Sequence, residues 1–424
     1  MSGAAERAPA EEVAHLALLV GRLLLLNGSD TAEVEEAVER FAEAFGGEAH
    51  ILVTYEALTV TLALDGQFRT KVGHRVPAIN VDLGAVGAVN RVLAAVAGGK
   101  HDLACVRAAL EAIERQPPAY GRWVVVAAMG LTTASLARLF GADWATMWVV
   151  WIAGSAGMWL RQELGRRGFN PVFIPFAAAV TSGGIGGLGV LLGSGATPSL
   201  CLVAPGMVIV PGVPLINGVQ DMIRNHMGMG LARLGFAGLV TVAIAFGLYG
   251  AMLITGVRIP VDAPVTTLPV AEDALFSALA AVGYVTLFSV PARMAWACVV
   301  CGIAGHALRT LAMHQGVDIV AATLVGALAV GFLAQLLARR LAASAVAFAF
   351  PGVVAMVPGS FAFRAVVGSL QIAAAGAAAA PTLVAETLSL GLSSALMAAA
   401  IAVGIAAPLL VLPERGGASR RPRG

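Results

Sequence analysis

The sequence predicts a polytopic α-helical membrane protein: about ten transmembrane helices, arranged as two inverted five-helix repeats, behind a small soluble α+β domain. Three observations carry this. Only 12% of the 424 residues are charged and 58% are hydrophobic, whereas soluble domains are about 25% charged. The deficit is uneven. Residues 1–122 have ordinary soluble chemistry, and residues 123–412 form a nearly continuous tract of Ala, Gly, Val and Leu that needs lipid as its solvent. Within that tract a pattern of glycines and prolines occurs twice. The mean hydropathy, +0.84, agrees with the first two.

The N-terminal region, residues 1–116, alternates between helical and strand periodicity. Leu16, Leu19, Leu23 and Leu26 share one face of a helix over 11–27. Gly28 ends it, and Ser29 or Asp30 can cap a second helix over 31–45 whose apolar face is Val34, Val38, Phe41 and Phe45. Strand-like runs follow at Ile51–Tyr55, Leu58–Leu64 and Gln67–Val72, with a turn at Asp65-Gly66. Helices near 81–97 and 102–115 complete the domain. The stretch Ala14–Leu26 follows Glu11 and Glu12 and contains Arg22, which is the wrong pattern for a secretory signal. The domain is therefore expected in the cytoplasm.

A crossing takes about 20 apolar residues. Counting after Pro117-Pro118 places spans at 122–139, 143–160, 171–193, 197–217, 231–255, 273–291, 293–311, 317–338, 343–364 and 382–412. These divide into repeats at 117–256 and 257–413, with a basic tail at 414–424. With the N-terminus inside, the inner loops hold Arg161, Arg166, Arg167, Arg224, Arg233, Arg293, Arg339 and Arg340, and the tail adds Arg415, Arg420, Arg421 and Arg423. The outer side holds only Arg138, Arg258, Arg309 and Arg364. This bias predicts a multi-pass protein of the plasma (inner) membrane with both termini in the cytoplasm.

Gly154-Ser-Ala-Gly157-Met-Trp-Leu160-Arg161 returns as Gly302-Ile-Ala-Gly305-His-Ala-Leu308-Arg309, and Leu139-Phe140 returns as Leu287-Phe288. Pro205-Gly206 and Pro211-Gly212 match Pro351-Gly352 and Pro358-Gly359. A unit of five spans is odd, so the second copy must be inverted, an arrangement that places a solute site near the midplane between halves. Proline removes a backbone donor, and freed backbone in lipid must be satisfied by protein or water. The matched breaks Pro211, Gly212, Pro358, Gly359 and Ser360 therefore mark a candidate solute path.

Ionisable residues within spans are costly and default to functional candidates. Asn217 and Asp221 lie one turn apart on one face, with Arg224 a turn further; Asp221 and Arg224 can alternatively form a loop pair. Arg364 ends the ninth span and joins the candidate path. Glu386, His306 and Arg309 are the candidates for coupling to protons. Other classes find no support. His15, His50, His74 and His101 lack metal-ligand spacing, and Cys105, Cys201, Cys298 and Cys301 sit in apolar surroundings as packing residues. Gly98-Gly99-Lys100 is an incomplete phosphate loop, and the glycine run Ser182–Gly189 suits close helix packing rather than a dinucleotide. No basic stripe with interleaved aromatics suggests nucleic acid. Neither cofactor nor metal is expected, and no enzyme motif appears in the spans.

Val210-Pro-Gly-Val-Pro-Leu-Ile-Asn-Gly-Val-Gln-Asp221-Met-Ile, followed by Gly228-Met-Gly230-Leu-Ala-Arg233, resembles the signature of the threonine/serine exporter family. Gly28-Ser-Asp-Thr-Ala-Glu-Val-Glu-Glu-Ala-Val and Ile79-Asn-Val-Asp-Leu with Val89-Asn-Arg91 resemble that family's N-terminal domain. Val357-Pro-Gly-Ser360 resembles its second conserved region, which some bacteria encode as a separate subunit. The resemblance implies secondary-active export of L-threonine and L-serine, driven by the membrane potential or a proton gradient. Two-subunit relatives are similar to dicarboxylate (succinate) exporters, so a dicarboxylate is the alternative substrate. A membrane-embedded enzyme or sensor is the more distant alternative, and a homo-oligomer is left open.

Overall fold

The computed structural model describes residues 10–74, 81–99, 102–194, 197–257, 261, 267–341 and 345–411. The N-terminal domain comprises α1 (Ala10–Leu26), α2 (Thr31–Ala44), β1 (Glu48–Val53), β2 (Ala57–Leu64), β3 (Gln67–His74), α3 (Leu83–Ala97) and α4 (Leu103–Arg115). The strands form an antiparallel sheet in the order β1-β2-β3. The first strand starts and ends earlier than its apolar run suggests, because Thr54 closes the turn to Ala57. On β2 the alternation Leu58, Val60, Leu62, Leu64 faces α1, whose leucines are buried nearly all round. Aspartates cap three helices: Asp30 accepts from Glu33 N, Asp82 from Ala85 N and Asp102 from Ala104 N. His101, Lys100, Arg258 and the basic tail at 414–424 lie outside the described residues, as do Ile79 and Asn80 of the N-terminal motif.

The second part is wholly helical: α5 (Arg122–Leu139), α6 (Trp144–Arg166), α7 (Phe173–Leu191), α8 (Pro198–Met207), α9 (Gly212–Ile223), α10 (Met227–Thr255), α11 (Val270–Leu287), α12 (Ala295–His314), α13 (Ile319–Leu341), α14 (Val346–Val353), α15 (Gly359–Ala375) and α16 (Pro381–Val411). Among the described residues seven helices are long and apolar enough to cross a membrane, and the pair α8–α9, bent by 55°, makes up to eight if it is one broken span. The first two expected spans, α5 and α6, fall outside that count. Arg122 and Arg138 stand at the two ends of α5, and α6 is rich in tryptophan and closes on a charged turn. Large apolar side chains stand exposed on the helical part, including Trp148, Leu188, Leu253, Leu336 and Leu392. Lipid is the solvent that such a surface requires.

Two boundaries differ from expectation. The fourth span does not end at 217 but continues as α9 to Ile223, and the ninth does not end at Arg364 but continues as α15 to Ala375. In each case a polar residue that reads as an interface in the sequence is buried in the fold. Asn217 and Arg364 donate hydrogen bonds to the carbonyls of Gly28 and Val261 respectively.

The packing of the two halves is alike. α5 packs on α6 and α6 on α7, as α11 packs on α12 and α12 on α13; α7 packs on α10 as α13 packs on α16. α5 also packs on α11, joining the halves. Backbone specials recur at matching places: positive φ at Gly141 and Ser289, and again at Gly168 and Gly316. The glycine run of α7 serves close approach, since a methyl group at Gly186 would meet the Cys201 carbonyl oxygen at 2.0 Å. One apolar core fills the N-terminal domain and another the helical part. Each borrows one residue across the boundary: Met229 enters the first core and Leu83 the second.

Candidate functional site

Both expected breaks are present and share one geometry. Pro211 has φ −76° and ψ 65°, and the Gly212 amide donates to the Val210 carbonyl at 2.8 Å. Pro358 has φ −78° and ψ 47°, and the Gly359 amide donates to the Val357 carbonyl at 2.8 Å. Each is an inverse γ-turn, the backbone minimum that a proline's fixed φ favours. The helical hydrogen-bond ladder is interrupted there, and α8 and α9 meet at 55°.

The two breaks touch. A methyl group at Gly359 would meet Val210 Cγ2 at 2.7 Å, and one at Gly212 would meet Val357 Cγ2 at 3.5 Å. α9 and α15 both start at the contact, and neither start carries a side-chain cap. First-turn amides have no partner within a helix, so two positive helix ends converge where Ser360 is also buried. Chemically this is an acceptor for a small anion or carboxylate.

The polar residues after the first break go elsewhere. Asp221 is fully buried, with 0% exposure, but its partner is not Arg224: Arg233 Nη1 donates to Oδ2 at 2.8 Å and the Thr31 amide to Oδ1 at 3.0 Å. Arg233 Nη2 donates onward to the Ser29 carbonyl at 2.8 Å, and Asn217 Nδ2 to the Gly28 carbonyl at 2.8 Å. Arg224 pairs with Asp30 at 3.3 Å, and His226 lies 3.6 Å from Glu35. Burial pushes the Glu35 carboxyl up, and His226 pulls it partly back. All these groups grip the α1–α2 turn and the helix that follows it. The solvated Asp221–Arg224 pair is thus replaced by a buried Asp221–Arg233 pair, and the same-face Asn217 and Asp221 form a latch for the N-terminal domain.

A second contact joins α3 to the turn after α11. The Leu83 amide donates to the Phe288 carbonyl at 2.9 Å, and any side chain at Gly84 would strike the Ser289 carbonyl oxygen at 2.7 Å. Between the latch and this contact lies a cavity of about 1290 Å³. Arg40, Arg91, Glu36 and Asn90 line it from the N-terminal domain; Gln220 on α9 and Arg224 just after it; Gln335 and Arg339 from α13. Ala347 and Ala349 extend its wall onto α14, the half-helix that leads to the second break.

The remaining candidates separate. Arg364 is buried on α15. Glu386 is only half-buried, in the second turn of α16, rather than sealed in an apolar site. His306 and Arg309 are buried together on α12, and His306 Nδ1 lies 3.4 Å from Asp273 Oδ1 on α11. Sequence reasoning missed Asp273, which begins a span, and missed Gln220, Arg233 and Ser29. The i, i+3 spacing of His306 and Arg309 signals a shared face, but nothing local marks a partner on another helix.

The chain is similar to proteins of one transport family. The family described as "Putative threonine/serine exporter" matches residues 15–255, and that described as "Threonine/Serine exporter, ThrE" matches residues 273–411. The probable succinate transporter subunit YjjP of Escherichia coli is 30% identical over 58% of this chain and 96% of its own length. The probable threonine/serine exporter of Mycobacterium tuberculosis is 26% identical over 84% of this chain and 70% of its own length. The threonine/serine exporter of Corynebacterium glutamicum is 24% identical over 82% and 73% respectively. No solved structure matches the chain. The matches cover both halves and the N-terminal domain, and the chain belongs to the threonine/serine exporter family.

Proposed function

We propose that the chain is a secondary-active exporter of small hydrophilic amino acids, L-threonine and L-serine, built as two inverted five-span repeats and coupled to protons. The observation that carries this reading is the meeting of the two proline breaks, one from each half, with two uncapped helix starts at the contact. Paired broken helices of this kind suit a midplane solute site. The converging amides take the solute carboxylate, and the buried Ser360 can hydrogen-bond its hydroxyl. The solute enters from the cytoplasm through the cavity beneath the N-terminal domain, and Arg224 belongs to that vestibule. Asn217 and Asp221 act indirectly, by fixing the domain that roofs it.

A second reading, export of a dicarboxylate, is favoured by the names of the two-subunit relatives. The vestibule weighs against it. Asp30, Glu33 and Glu36 stand among its arginines, and this mixed lining suits a zwitterion better than a dianion.

Efflux from cells fed threonine- or serine-containing dipeptides, with succinate efflux followed in parallel, tests the assignment. Loss of amino-acid efflux on deletion supports it. Loss of succinate efflux alone assigns the chain to the second reading.

A further inference from the structure

The cluster on α11 and α12 has no part in the path just described. Asp273, His306 and Arg309 are 5%, 4% and 8% exposed, and with Thr310 they line a cavity of about 30 Å³, room for about one water molecule. His306 Nδ1 and Asp273 Oδ1 approach to 3.4 Å, and Thr310 stands beside the same carboxylate. Arg309 also feels the Asp273 charge. A carboxylate, an imidazole and a guanidinium buried together around a water-sized space in a membrane-spanning region are costly and default to a functional role.

The repeat makes the cluster conspicuous. Where the second half has His306, the matching octet of the first half has Met158, and at the same offset Asp273 is matched by Val125. Both counterparts are buried apolar residues. Packing alone is therefore satisfied by hydrocarbon at these positions, and one half of the molecule carries a titratable pair instead.

Its place in the fold connects it to the solute path. Ala355, in the 3₁₀ turn Val354–Met356 just before Pro358, lines the small cavity. A methyl group at Gly326 would meet Met356 Sδ at 3.1 Å and Arg309 Cβ at 3.3 Å, and one at Gly305 would meet Met356 Cε at 3.2 Å, so the Met356 side chain reaches from the turn before the second break to the α12–α13 seam beside Arg309. Among the described residues, the charged groups facing the pair are Arg309 on α12 and, beside Asp273, the Glu272–Arg138 pair between α11 and α5. α13 and the Val354–Met356 turn bring no ionisable side chain to this level.

We propose that Asp273 and His306 form the proton-binding site through which transport is coupled, with Arg309 holding Asp273 as the acceptor and the second break sensing the pair's charge. One proton arrives on the imidazole, converting a neutral His306 beside a carboxylate into an ion pair, and leaves from the same nitrogen. The ion pair draws α12 and α11 together under Met356, and its loss releases them. The inference rests on the exporter reading for the meaning of coupling, but proton binding itself does not.

Two measurements test it. In proteoliposomes holding the purified full chain, a pH gradient should drive threonine accumulation. Asp273→Asn and His306→Met should abolish that drive while leaving exchange of labelled for unlabelled threonine at equal pH intact. His306→Met reproduces the residue of the first half, so it is compatible with folding. Retained gradient-driven accumulation in both variants overturns the proposal. Loss of exchange in both variants, with unchanged gel-filtration behaviour, also overturns it, because the pair would then serve the solute. Independently of any solute, the detergent-purified wild-type chain should take up more protons on acidification than His306→Met or Asp273→Asn, with the His306 resonance, assigned by its loss in His306→Met from among the seven histidines, displaced in Asp273→Asn. Equal proton uptake by the wild type and both variants overturns the proposal even if the chain transports succinate instead.

Discussion

Among single residues, the informative pair is Asp221 and Arg233, 0% and 1% exposed. A buried ion pair contributes little net stability against a hydrophobic replacement, but removing one partner strands the other charge at a cost of about 3–5 kcal/mol. Asp221→Asn should therefore lower the melting temperature of the detergent-purified protein sharply and expose the α1–α2 turn to protease. Adding Arg233→Met, which removes the stranded cation, should recover most of the loss. If the double variant melts no higher than the single one, the pair is not the energetic centre of the latch. The sequence discloses that Asn217 and Asp221 share a helix face. It cannot disclose what that face meets, because Thr31 lies 190 residues away and contacts at that separation leave no local periodicity.

One level up, among helices and turns, the breaks discriminate between two similar substitutions. Gly359 stands against the β-branched Val210, so Gly359→Ala should cost about 1–3 kcal/mol and impair transport, with Val210→Ala restoring both. Gly212 has ordinary contact distance around it, so Gly212→Ala should be tolerated in stability and efflux. Equal effects of the two would contradict the contact between the breaks. Pro211→Ala frees an amide at the γ-turn and permits α8 and α9 to straighten. Efflux should fall severely while membrane insertion, read by fractionation, stays normal. The breaks are legible because Pro-Gly in an apolar tract has few other uses. The full length of α15 is not, because an arginine in a span looks like an interface when its carbonyl partner, Val261, lies on another segment.

Across the molecule as a whole, the division into a mixed domain and a helical bundle is plain from composition, and so is the repeated order of packing from its glycines. The vestibule is not. A cavity between two folded parts belongs to neither sequence pattern, and it exists only because the α1–α2 turn and α3 dock at separate points with space between them. If that space admits the solute, bulk placed on its wall at Ala347→Trp should cut the rate of efflux while leaving the thermal stability of the N-terminal domain, followed by its own melting transition, unchanged. Unaltered efflux would mean that the solute enters elsewhere. Counterflow decides whether the paired breaks form an amino-acid path. Proteoliposomes of the purified chain, loaded with unlabelled threonine or serine, should accumulate labelled threonine, and Pro211→Ala proteoliposomes should not. Accumulation of labelled succinate but not threonine by the wild type, or undiminished threonine exchange in Pro211→Ala, would contradict it.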